Sequence, residues 1–402
     1  MSDIKVYGAP WCPDCKRAKK FLGEHRVAYR WIDIDTDEEG LRFVEELQNG
    51  GRTIPTITFD DGSHLIEPSN DELATKLGLR LTAERGFYDL IIVGGGPTGL
   101  TASIYAAREG LDTLVIEKSA LGGQAGITQK IDNYPGFPDG IGGGDLADRI
   151  VKQAERYDVE LLSAVSVASI SRDGEDVVVK TQGGDEYCSH ALLIATGSTY
   201  RRLGAPGEEE LIGAGIHFCA TCDGPFYKGA DELMVIGGGN SALEEGLFLA
   251  QFAKKIRIFC RSSRLTASRL LQDKVRSKPM FEIHLNTEVK QFKGKNEISE
   301  VVVKDNLTGE ETSFHPDAVF VFIGQDPNTS FIGDAVDLDQ WGFVVTDQTM
   351  QTSMPGVFAS GDVRAGSTKQ LASAIGEGVT ALLMIRQYLE QSAHVAAHVV
   401  NA

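Results

Sequence analysis

Two cysteine pairs stand at a spacing suited to redox chemistry, Cys12-Pro13-Asp14-Cys15 and Cys219-Ala220-Thr221-Cys222. Two thiols three residues apart can close and open a disulfide, and a helix starting between them turns its first N–H groups toward the first sulfur. Cys12 follows a strand-like run and Trp11, and Lys16-Arg17-Ala18-Lys19-Lys20 follows Cys15. These N–H groups and cations favour the thiolate of Cys12, so Cys12 is expected to attack and Cys15 to resolve the mixed disulfide. Asp223 directly follows Cys222 and is placed to carry protons during reduction. A zinc site is the competing use of such cysteines, but neither region offers the second C-x-x-C or the histidine pair that tetrahedral zinc wants, so no metal site is expected. In Thr53-Ile54-Pro55-Thr56 the proline precedes a strand-like run. A cis bond there would present the backbone of Ile54, with Pro55, to a substrate peptide.

Two glycine-rich loops point to dinucleotides. Gly94, Gly96 and Gly99 have G-x-G-x-x-G spacing, with Pro97 inside the run, after an apolar strand and before a helix. The first glycine permits a tight turn, the second a close backbone approach to a pyrophosphate, the third close packing of helix on strand. Glu117 follows about one βαβ unit later, placed to accept from a ribose hydroxyl. The pattern returns as Gly237-Gly238-Gly239-Asn240-Ser241-Ala242, where alanine serves as the third small residue. Where the first unit has Glu117 the second has Cys260-Arg261, with Arg264 nearby. Cations in place of a ribose-binding acid favour NADPH, with NADH left open; the alternative is two arginines merely exposed on a βα turn.

These motifs need a scaffold of several domains, as 402 residues allow. The opening stretch alternates strands and helices: strand 4–7, helix 16–22, strand 28–33, helix 38–48, strand 56–60, helix 70–77. Charged and turn residues then mark a linker over 81–86, and an apolar strand begins at Tyr88. The expected organisation is a small αβ domain over 1–80, a discontinuous nucleotide-binding domain over 87–200 and 328–392, and a second one with its own C-x-x-C over 201–327. A formal charge of −18 with no run of Lys or Arg disfavours nucleic acid and anionic lipid. No secretory signal opens the sequence and no apolar run approaches bilayer length, so a cytoplasmic protein is expected. Six cysteines in a reducing cytosol then read as redox groups more than as staples.

Two resemblances follow from these residues. Positions 1 to about 80, with Cys12-Pro13-Asp14-Cys15 and Thr53-Ile54-Pro55, resemble a glutaredoxin. Positions 87 to about 392 resemble low-molecular-weight thioredoxin reductase through Gly94–Gly99, Gly122-Gly123-Gln124, Asn133-Tyr134-Pro135-Gly136, Ala195-Thr196-Gly197, Cys219–Asp223 and Ala359-Ser360-Gly361-Asp362-Val363. The resemblance implies a thioredoxin-like fold followed by two Rossmann-like, three-layer ββα domains. It also implies FAD on the first glycine loop, with Gly123, Gln124, Asn133, Thr196, Gly197, Gly361, Asp362 and Gln370 around it, and NADPH on the second. Cys222 would face the flavin and Cys219 would attack outward as the second domain rotates. The implied activity passes electrons from NADPH through FAD and Cys219/Cys222 to Cys12/Cys15 and on to protein disulfides of the thioredoxin, glutaredoxin or peroxiredoxin kind, in a homodimer, with glutathione a further candidate partner. Two alternatives are a flavoprotein subunit resembling that of alkyl hydroperoxide reductase, which feeds a peroxiredoxin, and a non-catalytic redox or nucleotide sensor. Two departures stand out: the family's His-Arg-Arg reads Cys260-Arg261-Ser262, and the glutathione-binding Gly-Gly with its polar pair reads Pro68-Ser69-Asn70-Asp71.

Overall fold

The computed structural model describes residues 4–25, 27–128, 130–295 and 297–400, without the side chains of Glu24, Ile127 and 392–400. The chain forms two compact units. One comprises Met1–Ile127, Gly143–Gly197 and Asn328–Ala402, the other Thr128–Gly142 and Ser198–Pro327.

The first unit opens with a four-stranded sheet in the order Arg30–Asp33, Lys5–Gly8, Thr56–Thr58, His64–Ile66, parallel at the first pairing and antiparallel at the others. Helices Pro13–Glu24, Glu38–Leu47 and Asn70–Lys76 accompany it, and Val6, Leu22, Ile57 and Leu73 are wholly buried in its core. The first helix starts at Pro13, three residues before the lysine-rich run. Cys12 is its N-cap and the proline ring, with φ already helical and no N–H to leave unpaired, suits the first position. The three-residue strand His64–Ile66 is too short for its alternation to register in sequence.

The same unit holds a larger sheet in which Glu160–Leu162, Thr113–Ile116, Phe87–Val93 and Glu186–Ile194 lie in that order, with Val357–Ala359 also parallel to Glu186–Ile194. Asp176–Thr181 and Val167–Asp173 extend it antiparallel. Strand Phe87–Val93 feeds helix Pro97–Arg108, and its buried Leu90, Ile91 and Ile92 read as the continuous apolar run of a strand covered on both faces. Residues 80–86 form no helix or strand, yet they are fastened to this sheet. Glu160 accepts from Glu84 N (2.7 Å), from the Tyr88 hydroxyl (2.6 Å) and from Arg80 (3.3 Å), and Ala83 N donates to the Tyr187 hydroxyl (3.0 Å).

The second unit has five parallel strands in the order Ile216–His217, Ala318–Val321, Ala230–Ile236, Ala253–Phe259, Phe281–His284. A three-stranded antiparallel sheet, Thr287–Gly294, Ile298–Asp305 and Glu311–Phe314, accompanies them. The stretch Gln325–Pro327 pairs antiparallel with Ser198–Tyr200. Among the described residues no helix is long and apolar enough to cross a membrane.

Candidate active site

Both cysteine pairs sit at the start of a helix. Cys12 caps helix Pro13–Glu24 and its sulfur accepts from Cys15 N at 3.1 Å. Cys219 caps the single turn Ala220–Asp223 and its sulfur accepts from Cys222 N at 3.2 Å. Cys219 and Cys222 form a disulfide, while Cys12 and Cys15 are free thiols. Burial, reinforced by the hydrogen bond with Cys12, pushes the Cys15 thiol up to about 12. Cys15 therefore stays a thiol at neutral pH. The Ile54-Pro55 bond is cis, and the Cys12 sulfur lies 3.7 Å from Ile54 O. The expected peptide-presenting segment thus lies beside the expected attacking thiol. Trp11, two-thirds exposed, borders the pair with its indole N–H on Asp35.

The first glycine loop has three different surroundings at its three glycines. Gly94 has φ +112°, and a Cβ there would stand 2.4 Å from Ala195 O; a Cβ on Gly99 would stand 2.0 Å from Gly94 O. A Cβ on Gly96 would meet nothing within 4 Å, and Gly96 caps helix Pro97–Arg108 with no side chain bonding the helix's first N–H groups. Open space in front of uncapped helical N–H groups is what a pyrophosphate requires. Glu117 accepts from Gly95 N (2.7 Å) and Ser119 N (2.8 Å), so it braces the loop.

Around this loop the fold gathers most of the other expected residues. Gly123 packs against Gly96, Thr196 exchanges hydrogen bonds with Asn328, and Gly361 lies against Thr98 in the loop's own helix. Asp362 is next to it, its carboxyl pushed up by burial and held back by Lys369. Gln124 lies in helix Gly123–Ile127, and Gln370 directly precedes helix Leu371–Val400. Asn133 falls in the 128–142 segment, which belongs to the second unit.

Two contributors here escaped the sequence reading. Lys369 stacks over Phe343 and donates to Asp362 O, and burial pulls its ammonium down. Glu377 accepts from Gly361 N at 2.9 Å and pairs with Arg364 at 2.9 Å. Gly376-Glu377-Gly378 was the available signal, since a Cβ on Gly378 would stand 2.6 Å from Thr98 O and only a bare backbone allows that approach.

The second loop repeats the geometry. A Cβ on Gly237 would stand 2.3 Å from Phe322 O, whereas Gly239 caps helix Asn240–Leu249 with nothing nearer to its Cβ position than Thr266 Oγ1 at 3.8 Å. Asn240 accepts from Ser268 N (2.7 Å), and Asn240, Ser241, Arg261 and Arg264 are exposed. Among the described residues neither arginine forms an ion pair. The arrangement therefore comprises two dinucleotide cradles and two dithiols.

Comparison with known proteins decides the affiliation. Residues 88–378 match the family described as pyridine nucleotide-disulphide oxidoreductase, and residues 4–65 match glutaredoxin. Thioredoxin reductase of Listeria innocua is 39% identical over 312 residues, 77% of this chain and 97% of that protein. The chain belongs to this oxidoreductase family, as a thioredoxin reductase with a glutaredoxin domain ahead of it. The bifunctional thioredoxin reductase/thioredoxin of Mycobacterium leprae is 38% identical, covering 78% of this chain and 68% of that protein. The crystal structure of thioredoxin reductase from Streptococcus pyogenes superposes with TM-score 0.73 at 38% identity, over 76% of this chain and 99% of that one. The reductase is thus an FAD- and NADPH-dependent disulfide oxidoreductase, with cradles that fit both nucleotides. These likenesses favour this activity over the alkyl hydroperoxide reductase alternative and over a non-catalytic sensor.

Proposed function

We propose that the reductase is a directional relay, in which electrons from NADPH reach Cys219/Cys222, pass to Cys12/Cys15 of the same polypeptide and leave from Cys12 to an outside protein disulfide. FAD, when bound at the first glycine loop, supplies the two-electron step between the nicotinamide and the disulfide. The observation that carries the reading is the common build of the two dithiols: in each, the first cysteine caps a helix and accepts from the second cysteine's N–H. Cys219 acts as the outward thiol and Cys222 faces the flavin. Asp223 holds the proton for the sulfur that leaves, and the loop residues listed above with Asp362 and Gln370 seat FAD. Gly237, Gly239, Asn240 and Ser241 take the NADPH pyrophosphate, with Arg261 and Arg264 on its 2′-phosphate.

The working division is a redoxin domain over 1–80, a linker over 81–86, an FAD domain over 87–200 and 328–392, and an NADPH domain over 201–327. The changes of compact unit at Gly197/Ser198 and Pro327/Asn328 support the last two bounds. The site is cytoplasmic and the assembly a homodimer on this reading, in keeping with the reductase resemblance. Glutathione is the less suitable partner of the redoxin domain. Arg17, the nearest cation for its carboxylates, is already bound to Asp14, Asn70 Oδ1 and Pro68 O. The cleft beside it, about 560 Å³, is lined by Asp14, Glu67, Asp71 and Glu72, which repel an anionic tripeptide.

An anaerobic NADPH titration tests the relay. Uptake beyond roughly four electrons, the capacity of FAD plus one disulfide, shows the redoxin pair in circuit. Cys12→Ser should keep flavin reduction and abolish reduction of an outside disulfide; equal turnover by that variant overturns the relay.

A further inference from the structure

Beside the disulfide lies a buried histidine with no role so far. His217, the residue two before Cys219, is 8% exposed at the end of strand Ile216–His217. Its Nδ1 lies 3.4 Å from Asp223 Oδ2 and its Nε2 lies 2.7 Å from the Tyr227 hydroxyl. The ring is tilted against Phe320 with centroids 5.2 Å apart and meets Tyr227 edge-on at 5.3 Å. The carboxylate can only accept, so Nδ1 carries the proton and Nε2 accepts from the tyrosine. The titratable groups facing the imidazole are thus Asp223 and Tyr227, with Asp317 adding its negative charge at Tyr227, whose hydroxyl is kept protonated by burial.

This chain answers a difficulty in the assignment of Asp223. A carboxyl group is ordinarily ionised at neutral pH, and an ionised carboxylate has no proton to give. It works as an acid only if a group close by refills it, and imidazole is the side chain that exchanges protons in the neutral range.

We propose that His217 is the positioning and proton-supplying residue for Asp223 in reduction of the Cys219–Cys222 disulfide. The inference rests on the relay reading, in which that disulfide is the redox-active one. The S–S bond breaks with uptake of two electrons and two protons. The hydride taken from NADPH brings both electrons and one proton equivalent, and the other proton comes from solvent. Asp223 gives that proton to the sulfur that leaves as thiolate, and takes one in turn from His217 Nδ1. His217 Nε2 is refilled from the Tyr227 side, and the tyrosine from water. Net consumption is one NADPH and one proton per dithiol formed.

The test uses the full-length holoenzyme, its His217→Asn and His217→Phe variants, and Cys219→Ser as control. Three readouts are taken: NADPH-dependent reduction of an outside disulfide across pH, NADPH-dependent ferricyanide reduction, which bypasses the dithiol, and the pH dependence of iodoacetamide labelling of the reduced Cys219/Cys222 pair. General acid catalysis contributes about 10²- to 10⁴-fold, so losing the supply should slow disulfide reduction about ten-fold or more. The alkaline limb should move to lower pH, because protons must then come from an ever scarcer bulk supply. Asn, which keeps a polar amide facing Asp223 without exchanging protons, should retain the labelling profile yet not the pH profile; Phe should lose both. Ferricyanide reduction should be unchanged. Disulfide reduction by both variants at the wild-type rate and pH profile overturns the inference. If either variant loses its flavin or ferricyanide activity, Tyr227→Phe interrupts the same path from the other end and should shift the alkaline limb the same way; no shift there also overturns it. Failure of the underlying reading looks different: Cys219→Ser would then reduce the outside disulfide as well as wild type.

Discussion

At the scale of single residues, the two thiols of the first dithiol have distinct chemical standing. Cys15 is almost wholly buried, and its thiol is pushed up to about 12 chiefly by loss of water. A raised thiol is neutral below its titration point, so Cys15 cannot compete as a nucleophile in the neutral range and ionises only in strong alkali. In the reduced protein at neutral pH, iodoacetamide should therefore label Cys12 and spare Cys15, with Cys15 labelling rising only at strongly alkaline pH, as followed by peptide mass spectrometry. Equal labelling of both at neutral pH would contradict the assignment. The same asymmetry predicts that Cys15→Ser traps a stable mixed disulfide on Cys12, visible as the added mass of the partner on a non-reducing gel. Which sulfur meets the helix start was legible in the sequence, because a C-x-x-C ahead of a helical run puts its first cysteine at the cap. What was not legible is burial: the sequence does not say that a Cβ on Gly8 would stand 2.6 Å from the Cys15 sulfur, leaving no room for water there.

At the scale of elements, the strand–loop–helix unit around Gly94–Gly99 separates binding from folding. A methyl group on Gly96 enters open space, so Gly96→Ala should leave the melting temperature of the flavin-free protein within about a degree while cutting retention of FAD at the pyrophosphate. A methyl on Gly99 would have to overlap Gly94 O, so Gly99→Ala should destabilise the first unit by about 1–3 kcal/mol, overpacking between helix and strand, and lower the melting temperature by a few degrees. Thermal unfolding of flavin-stripped protein together with flavin absorbance after gel filtration checks both. A drop in stability for Gly96→Ala equal to that for Gly99→Ala would show that the loop is packed in front. The spacing rule marks these glycines because the surroundings of each are local to one βαβ unit. Lys369 and Glu377 escaped because they act on Gly361 and Asp362, which reach the loop's helix only through contacts that the folded chain brings together. His217 escaped for the related reason that a lone buried histidine has no spacing to betray it.

At the scale of the whole molecule, charged and turn residues mark 81–86 as the proposed linker, and the fold fastens that stretch to the sheet that follows it. Ala83 N donates to the Tyr187 hydroxyl, Glu84 N to Glu160 and Arg85 N to the Tyr88 hydroxyl, and Glu160, whose side chain is 10% exposed, also takes the flanking Arg80 and Tyr88. The stretch read from sequence as a short linker therefore has limited play, because a charged side chain in strand Glu160–Leu162 holds it in place, and charge in a strand carries no mark of its distant partner. This bears on the relay, since the encounter of one dithiol with another depends on how the intervening chain restricts the search. Glu160→Ala leaves the Glu84 N–H and the Tyr88 hydroxyl without this acceptor and Arg80 with Glu84 alone, a loss of about 1–3 kcal/mol for the buried tyrosine. The linker should then open to trypsin at Arg80 and Arg85 several-fold faster than in wild type, as timed by intact-mass spectrometry, whereas flavin reduction by NADPH, which needs no redoxin domain, should be unchanged. Reduction of an outside disulfide should shift with the cleavage susceptibility, and it is this difference between the two half-reactions that the relay requires: a change in both, or in neither, would mean that the linker does not set the encounter of the two dithiols.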